Sequence, residues 1–203
     1  MRQYKELFKS KGFILNSVIT IAALIIILIL FSRFLIYVEG RQGVVLDDPL
    51  FHLFSAINLN PIIFVLIYGS IITAFITLLK YPEALLIAIQ SYTLIIVFRA
   101  LAMFIVPLDP PIGTIDLQDP LIFIVGTGRK ITKDLFFSGH TSMLFLLFLT
   151  AKNKKLKYFF LIATVLVGSF VILQKVHYSI DVMVAPFFSY ASYKIITYFY
   201  RKD

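Results

Sequence analysis

Residues 13–38 read FILNSVITIAALIIILILFSRFLIYV. At about 1.5 Å of rise per residue this run is long enough to cross about 30 Å of hydrocarbon, and Arg33 is the one charge within it. The run is continuously apolar rather than alternating, which is the pattern of a spanning helix and not of a barrel strand with one lipid-facing side. Five further runs repeat it, at 61–80, 83–106, 135–151, 156–173 and 180–199. The chain is therefore expected to be all-α, a polytopic membrane protein with six transmembrane helices in a single domain over residues 1–203. The fourth run is short and polar at its start, and the first is long enough to tilt. Composition agrees: 60% of the 203 residues are hydrophobic and 15% charged, which excludes soluble, disordered and fibrous classes. The absence of cysteine excludes disulfides, Cys-ligated zinc and a thiol nucleophile.

The charge is unevenly distributed. With six spans both termini share a side, and that side collects Arg2, Lys5, Lys9, Lys11, Lys80, Lys152, Lys154, Lys155, Lys157, Arg201 and Lys202, the majority of the 19 cations. By the positive-inside rule this is the cytoplasmic face, with short tails at about 1–12 and 200–203. The net charge of +8 is thus expected to reflect topology, not nucleic-acid binding. The first run is about twice the length of a signal-peptide core and lacks a small-residue cleavage site, so it is expected to stay as the first span. On the other side lie two connections. Within 39–60, the stretch Pro49-Leu50-Phe51-His52-Leu53-Phe54 suggests a short interfacial helix whose role is anchoring, with His52 as surface decoration. Residues 107–134 form the longest connection, rich in Pro, Asp and Gly, with Arg129, Lys130 and Lys133 just before the fourth run.

Ionisable groups at membrane depth are costly, and several gather at this outer edge. Leu135-Phe136-Phe137-Ser138-Gly139-His140-Thr141-Ser142 opens the fourth run. There the unpaired N–H groups and positive dipole end of a helix suit a phosphate. Ser138 is placed to cap that helix, Gly139 lets a ligand approach the backbone, and His140 follows. At the start of the sixth run His177-Tyr178-Ser179-Ile180-Asp181 sets an imidazole and a carboxylate at i and i+4, on one helical face. Asp181 would then fix the tautomer of His177 and leave its other ring nitrogen as a nucleophile or base. His140 could supply a proton to a leaving oxygen. Arg99 either holds a phosphate or snorkels; Asp134 either orients a catalytic group or simply favours a helix N-terminus. A zinc site is the weaker reading of this set, which lacks a fourth ligand and the HExxH spacing.

The segments SGHT at 138–141 and HYSIDVMVA at 177–185 resemble the type 2 phosphatidic acid phosphatase superfamily of lipid phosphatases and phosphotransferases. Within it they look most like the sphingomyelin synthase branch, whose GD-x-x-x-SGHT and HYT-x-DV-x-x-A patterns fall on Asp134, Ser138-Gly139-His140-Thr141, and His177 to Ala185. Arg99 through Leu108 to Pro111 is similar to that branch's arginine-bearing segment. The resemblance implies a six-span bundle of that type with an extracytoplasmic, periplasmic or lumenal active site. His177 would attack phosphorus to give a phosphohistidine, Asp181 would orient it, and His140 would protonate the leaving alkoxide. Arg99, Asp134, Ser138 and Gly139 would belong to the substrate side, with no metal or other cofactor required. Two further cations of the phosphatase branch are replaced here by Tyr92 and Val171, and the proline that follows its arginine by Ala100. A phosphodiester carries less charge than a monoester, so this favours a transferase that moves a phospho-head group from a glycerophospholipid to ceramide or diacylglycerol. The alternatives are a lipid phosphate phosphatase, a phospholipase C-like hydrolase and, from another class, a non-catalytic transporter or scaffold. The expected partners are phospholipid and lipid-alcohol substrates within the membrane.

Overall fold

The computed structural model describes residues 10–117, 128 and 130–200. The tail cations Arg2, Lys5, Lys9, Arg201 and Lys202, and the loop residue Arg129, lie outside the described residues. Six α-helices run through the described chain: α1 Lys11–Glu39, α2 Asn60–Leu78, α3 Pro82–Ile105, α4 Gly139–Thr150, α5 Lys154–Leu173 and α6 Ser179–Tyr200. A 3-10 turn, Pro49–His52, stands where the interfacial helix is expected. Four of the helices, α1, α2, α3 and α5, are long and apolar enough to cross a membrane. α6 has the length but is diluted by Ser, Tyr, Asp181 and Lys194.

α4 departs most from the run that announces it. The apolar stretch begins at Leu135, yet the helix begins only at Gly139 and has 12 residues. Two contacts fix that start: Ser138 adopts an extended backbone and caps the helix, and its own N–H donates to the Asp181 carbonyl of α6 at 3.1 Å. Leu135 and Phe137 are buried as irregular chain, Phe137 stacking on Phe188 with ring centroids 4.2 Å apart.

The core is built from interlocking helix faces. Ile63 and Ile67 of α2 meet Leu144 of α4 and Ala163, Val167 and Val171 of α5. Ile95 and Ala102 of α3 meet Phe137, Leu146 and Ala185. α1 packs on α3 through Phe31, Leu35, Ile96 and Met103. The outward faces stay apolar: Leu15, Ile19, Ile26 and Leu30 of α1 and Val65 and Ile72 of α2 are exposed. A large exposed apolar surface around satisfied helical backbone is what lipid solvates, so this is an integral, multi-pass membrane protein architecture.

One end of the bundle carries a layered cap. Val44 pairs with Leu108 as an isolated parallel bridge, its N–H donating to Pro107 O and its carbonyl accepting from Asp109 N–H. Gly43 permits that approach, since a Cβ there would meet the Leu108 backbone at 2.5 Å. Glu39, the last residue of α1, accepts from Thr132 and Lys133 N–H at 2.8 and 3.0 Å and from the Thr132 hydroxyl at 2.7 Å. Buried Gln174 accepts from Leu59 N–H, donates to Ile115 O and bonds Asn60. The two long connections are thus fastened to each other and to the helix ends beneath them.

Candidate active site

His177 lies between the end of α5 and the start of α6, and its side chain is 4% exposed. Its Nδ1 stands 3.2 Å from Asp181 Oδ2, one turn along on α6. An ionised carboxylate only accepts, so this bond places a proton on Nδ1, and in the neutral ring Nε2 is then the nitrogen with the lone pair. The same Oδ2 accepts from Tyr178 N–H at 3.2 Å, which fixes the carboxylate against the turn that carries the imidazole. Asp181 is fully buried, and its Oδ1 has no hydrogen-bond partner among the described residues.

α4 enters the same region from the other side. The Ser138 N–H to Asp181 O bond joins the N-terminal ends of α4 and α6 directly, at the backbone of the residue whose side chain pairs with His177. Ser138 Oγ caps α4 through Thr141 N–H at 3.4 Å and lies 3.0 Å from Thr141 Oγ1. Ser142 donates back to Gly139 O at 2.9 Å. His140, in the first turn of α4, is half-buried.

Of the two roles expected of Arg99, the structure argues against one. Arg99 does not snorkel: it is buried, Nη2 bonds Asp134 Oδ1 at 2.5 Å, Nε donates to Phe137 O at 3.2 Å, and the guanidinium lies over the Phe31 ring at 5.3 Å. A Cβ at Gly139 would overlap that guanidinium, so glycine is the residue that admits it to the α4 N-terminus. Asp134 is correspondingly not a first-turn acid of α4; it is the partner of Arg99. Of the loop cations, Lys130 pairs with Asp116 at 2.5 Å and Lys133 with Asp109 at 2.6 Å. His52 is exposed and paired with Asp47.

Two contributors were not singled out from sequence. Tyr178 is buried, accepts from Leu46 N–H at 3.1 Å and donates to Asp109 O at 2.8 Å, so it carries both connections on one hydroxyl. Burial pushes its ionisation above the usual tyrosine range, which keeps it a neutral phenol and a tether. Asp48 accepts from Ser179 N–H, the first residue of α6, at 2.7 Å. The sequence signal for Asp48 is an acid before Pro49, which marks the start of a local turn; its second bond reaches 131 residues along the chain and has no local signature.

A family model described as PAP2 superfamily C-terminal matches residues 133–199, a stretch that holds Asp134, Ser138, Gly139, His140, His177 and Asp181 and leaves Arg99 and Asp48 outside it. The match covers less than half of the chain and is a likeness to the PAP2 superfamily over that stretch. No curated protein matches the chain.

Proposed function

We propose that the chain is a lipid phosphotransferase that moves a phospho-head group from a glycerophospholipid to a lipid alcohol such as ceramide or diacylglycerol, in the manner of the sphingomyelin synthase branch. The observation that carries this is the buried His177–Asp181 pair, joined through Ser138 to the N-terminus of α4. Nε2 of His177 attacks phosphorus, the bond from phosphorus to the glyceride oxygen breaks, and His140 gives that oxygen its proton. The acceptor hydroxyl then returns a proton to His140 as its oxygen attacks phosphorus and the P–N bond breaks. The imidazole that carries the phosphoryl group keeps its Nδ1–H on Asp181 throughout, so no charge is left uncompensated in a buried site. The non-bridging oxygens lie at the first turn of α4, where the helix dipole, Ser138 and the Arg99 guanidinium beside Gly139 supply positive potential. These steps use the chain's own side chains and call on no metal or cofactor.

Charge supports a phosphodiester over a phosphomonoester. Arg99 is already matched by Asp134, and Lys130 and Lys133 by Asp116 and Asp109, so these three cations, among the described residues, leave little uncompensated positive charge for a dianion. The topology that goes with this reading has six spans, α4 and α6 included, with Lys11, Lys80, Lys152, Lys154, Lys155 and Lys157 facing the cytoplasm and His177 facing the other side. The test is full-length protein in liposomes with head-group-labelled phosphatidylcholine or phosphatidylethanolamine plus ceramide or diacylglycerol. The expected result is labelled product and a trapped phospho-adduct that His177→Ala abolishes. Release of inorganic phosphate from phosphatidic acid without head-group transfer would replace this reading by a phosphatase, and inertness toward every lipid phosphoester would sink both.

A further inference from the structure

His177 belongs to no helix. The chain leaves α5 after Leu173, takes a left-handed turn at Lys175 with φ of 57°, and re-enters helix only at Ser179. The direction of the imidazole is therefore set by whatever holds residues 174–179, and an i,i+4 bond to Asp181 acts correctly only if the first turn of α6 starts in the right place. Upstream, Gln174 is gripped by Leu59, Asn60 and Ile115. Downstream, Ser179 N–H donates to Asp48 Oδ2 at 2.7 Å. Asp48 is 7% exposed, and its other oxygen accepts from Leu50 N–H at 3.1 Å. It comes from a connection more than a hundred residues away, so its bond is not a local cap that α6 supplies for itself.

The turn that presents Asp48 is itself locked to the same segment. Lys175 Nζ donates to Phe51 O at 3.0 Å and lies over the Phe51 and Phe54 rings at 5.5 and 5.6 Å. The Phe51 ring meets Tyr178 at 6.0 Å. Residues 48–54 and 175–179 thus form one clamp, with a buried carboxylate on the positive end of α6 as its strongest bond. A carboxylate in that position holds two backbone donors at once, which alanine cannot do and asparagine does only in part.

We propose that Asp48 is a positioning residue for the nucleophile: it fixes the start of α6 and thereby the line along which His177 Nε2 meets phosphorus. The proposal rests on the reading of His177 as nucleophile given above. The experiment compares wild type, Asp48→Ala and Asp48→Asn as full-length protein in liposomes, in the head-group transfer assay and in carbethoxylation of His177 followed by mass spectrometry. Asp48→Ala is expected to lower kcat roughly 30- to 100-fold, as a misplaced reacting group does. KM should stay within about threefold, because the substrate contacts are untouched. Asp48→Asn keeps one acceptor and should recover most of the loss, and it should likewise return the raised carbethoxylation rate of the alanine variant toward wild type. Wild-type kcat in Asp48→Ala, a loss borne by KM alone, or an asparagine variant no better than alanine would overturn the proposal. Carbethoxylation needs no lipid substrate, so it separates the two ideas. If wild type proves inert in transfer, the nucleophile reading falls, while equal labelling of His177 in all three proteins overturns the clamp itself.

Discussion

Both ends of the bundle bury polar side chains between helices, but they do so with different chemistry. At the His177 end the network includes ionisable groups beside the neutral Gln174: His177, Asp181, Arg99 and Asp48 are buried and Asp134 partly so, and Arg99 and Asp48 are held by partners from distant parts of the chain. At the lysine-rich end the network is neutral. Gln90 donates to Asn16 at 3.1 Å and to Thr20 at 2.7 Å, and Asn16 donates to the Tyr200 hydroxyl at 3.2 Å, around a cavity of about 340 Å³ lined also by Ile196 and Phe199. Neutral amides and hydroxyls that satisfy one another tie α1, α3 and α6 together at small desolvation cost. Buried charge is far more expensive, and a fold retains it where the charge performs something that packing cannot. Polarity at membrane depth is therefore a weak pointer to a site; unlike charges brought together from several elements are a strong one.

The comparison breaks first at His177. His177→Ala should reduce head-group transfer by about four to six orders of magnitude, as removal of an enzymatic nucleophile or its base does. The phospho-adduct should vanish while the protein stays monodisperse in detergent. A variant that keeps measurable adduct would move the nucleophile elsewhere. Asp181→Asn comes next, with an expected loss of about three to four orders in kcat, because an amide no longer holds the Nδ1–H tautomer. Its adduct should form slowly rather than not at all, which rapid-quench labelling resolves.

Arg99 and Gly139 sharpen the comparison at lower amplitude. Gly139→Ala drives a methyl group into the guanidinium, and Arg99→Lys loses the bond to Phe137 O and the planar face against Phe31. Each is expected to cost about 10- to 100-fold in kcat/KM, the range for removal of one electrostatic donor or a planar Arg contact. Arg99→Ala differs, because it strands Asp134, whose side chain is 21% exposed. It should lower stability by about 2–4 kcal/mol as well, which Arg99→Ala/Asp134→Asn should partly restore. Thermal melts of the single and double variants measure this directly.

How much of this was legible in the sequence follows from the range of the interactions involved. Helices α1, α2, α3, α5 and α6 appear within a few residues of the apolar runs, since lipid imposes length and continuity on each segment independently. The His177–Asp181 pairing was readable from its i, i+4 spacing, although His177 precedes α6 and the bond closes across the turn into the helix rather than along one helical face. At α4 the Ser138 cap was readable, but the apolar run placed the start too early, at Leu135, because Ser138 is pinned by a carbonyl of α6 and the apolar residues before it are buried as loop. Arg99 could be placed at the outer edge but not assigned, since its partner stands 35 positions away. Asp48 is the extreme case: beside Asp47 and Pro49 it reads as a turn former, and only the closed cap reveals the helix it serves.

The smallest effect is expected at the opposite end, and it is the control that gives the others meaning. Gln90→Ala removes the donor that joins α3 to Asn16 and Thr20 of α1, leaving both oxygens without it and the Asn16 side chain at the edge of the cavity. A neutral intramembrane hydrogen bond contributes about 0.6 kcal/mol on average, so two should cost about 1 kcal/mol in stability. Transfer activity per folded molecule should remain within about twofold, a margin set by the distance of additive, uncoupled sites. Melting and kinetics on one preparation decide the matter. If Gln90→Ala instead lowered kcat as far as Gly139→Ala does, the two ends would be coupled through α3, whose far part carries Arg99, and the division between structural and catalytic polarity would fail.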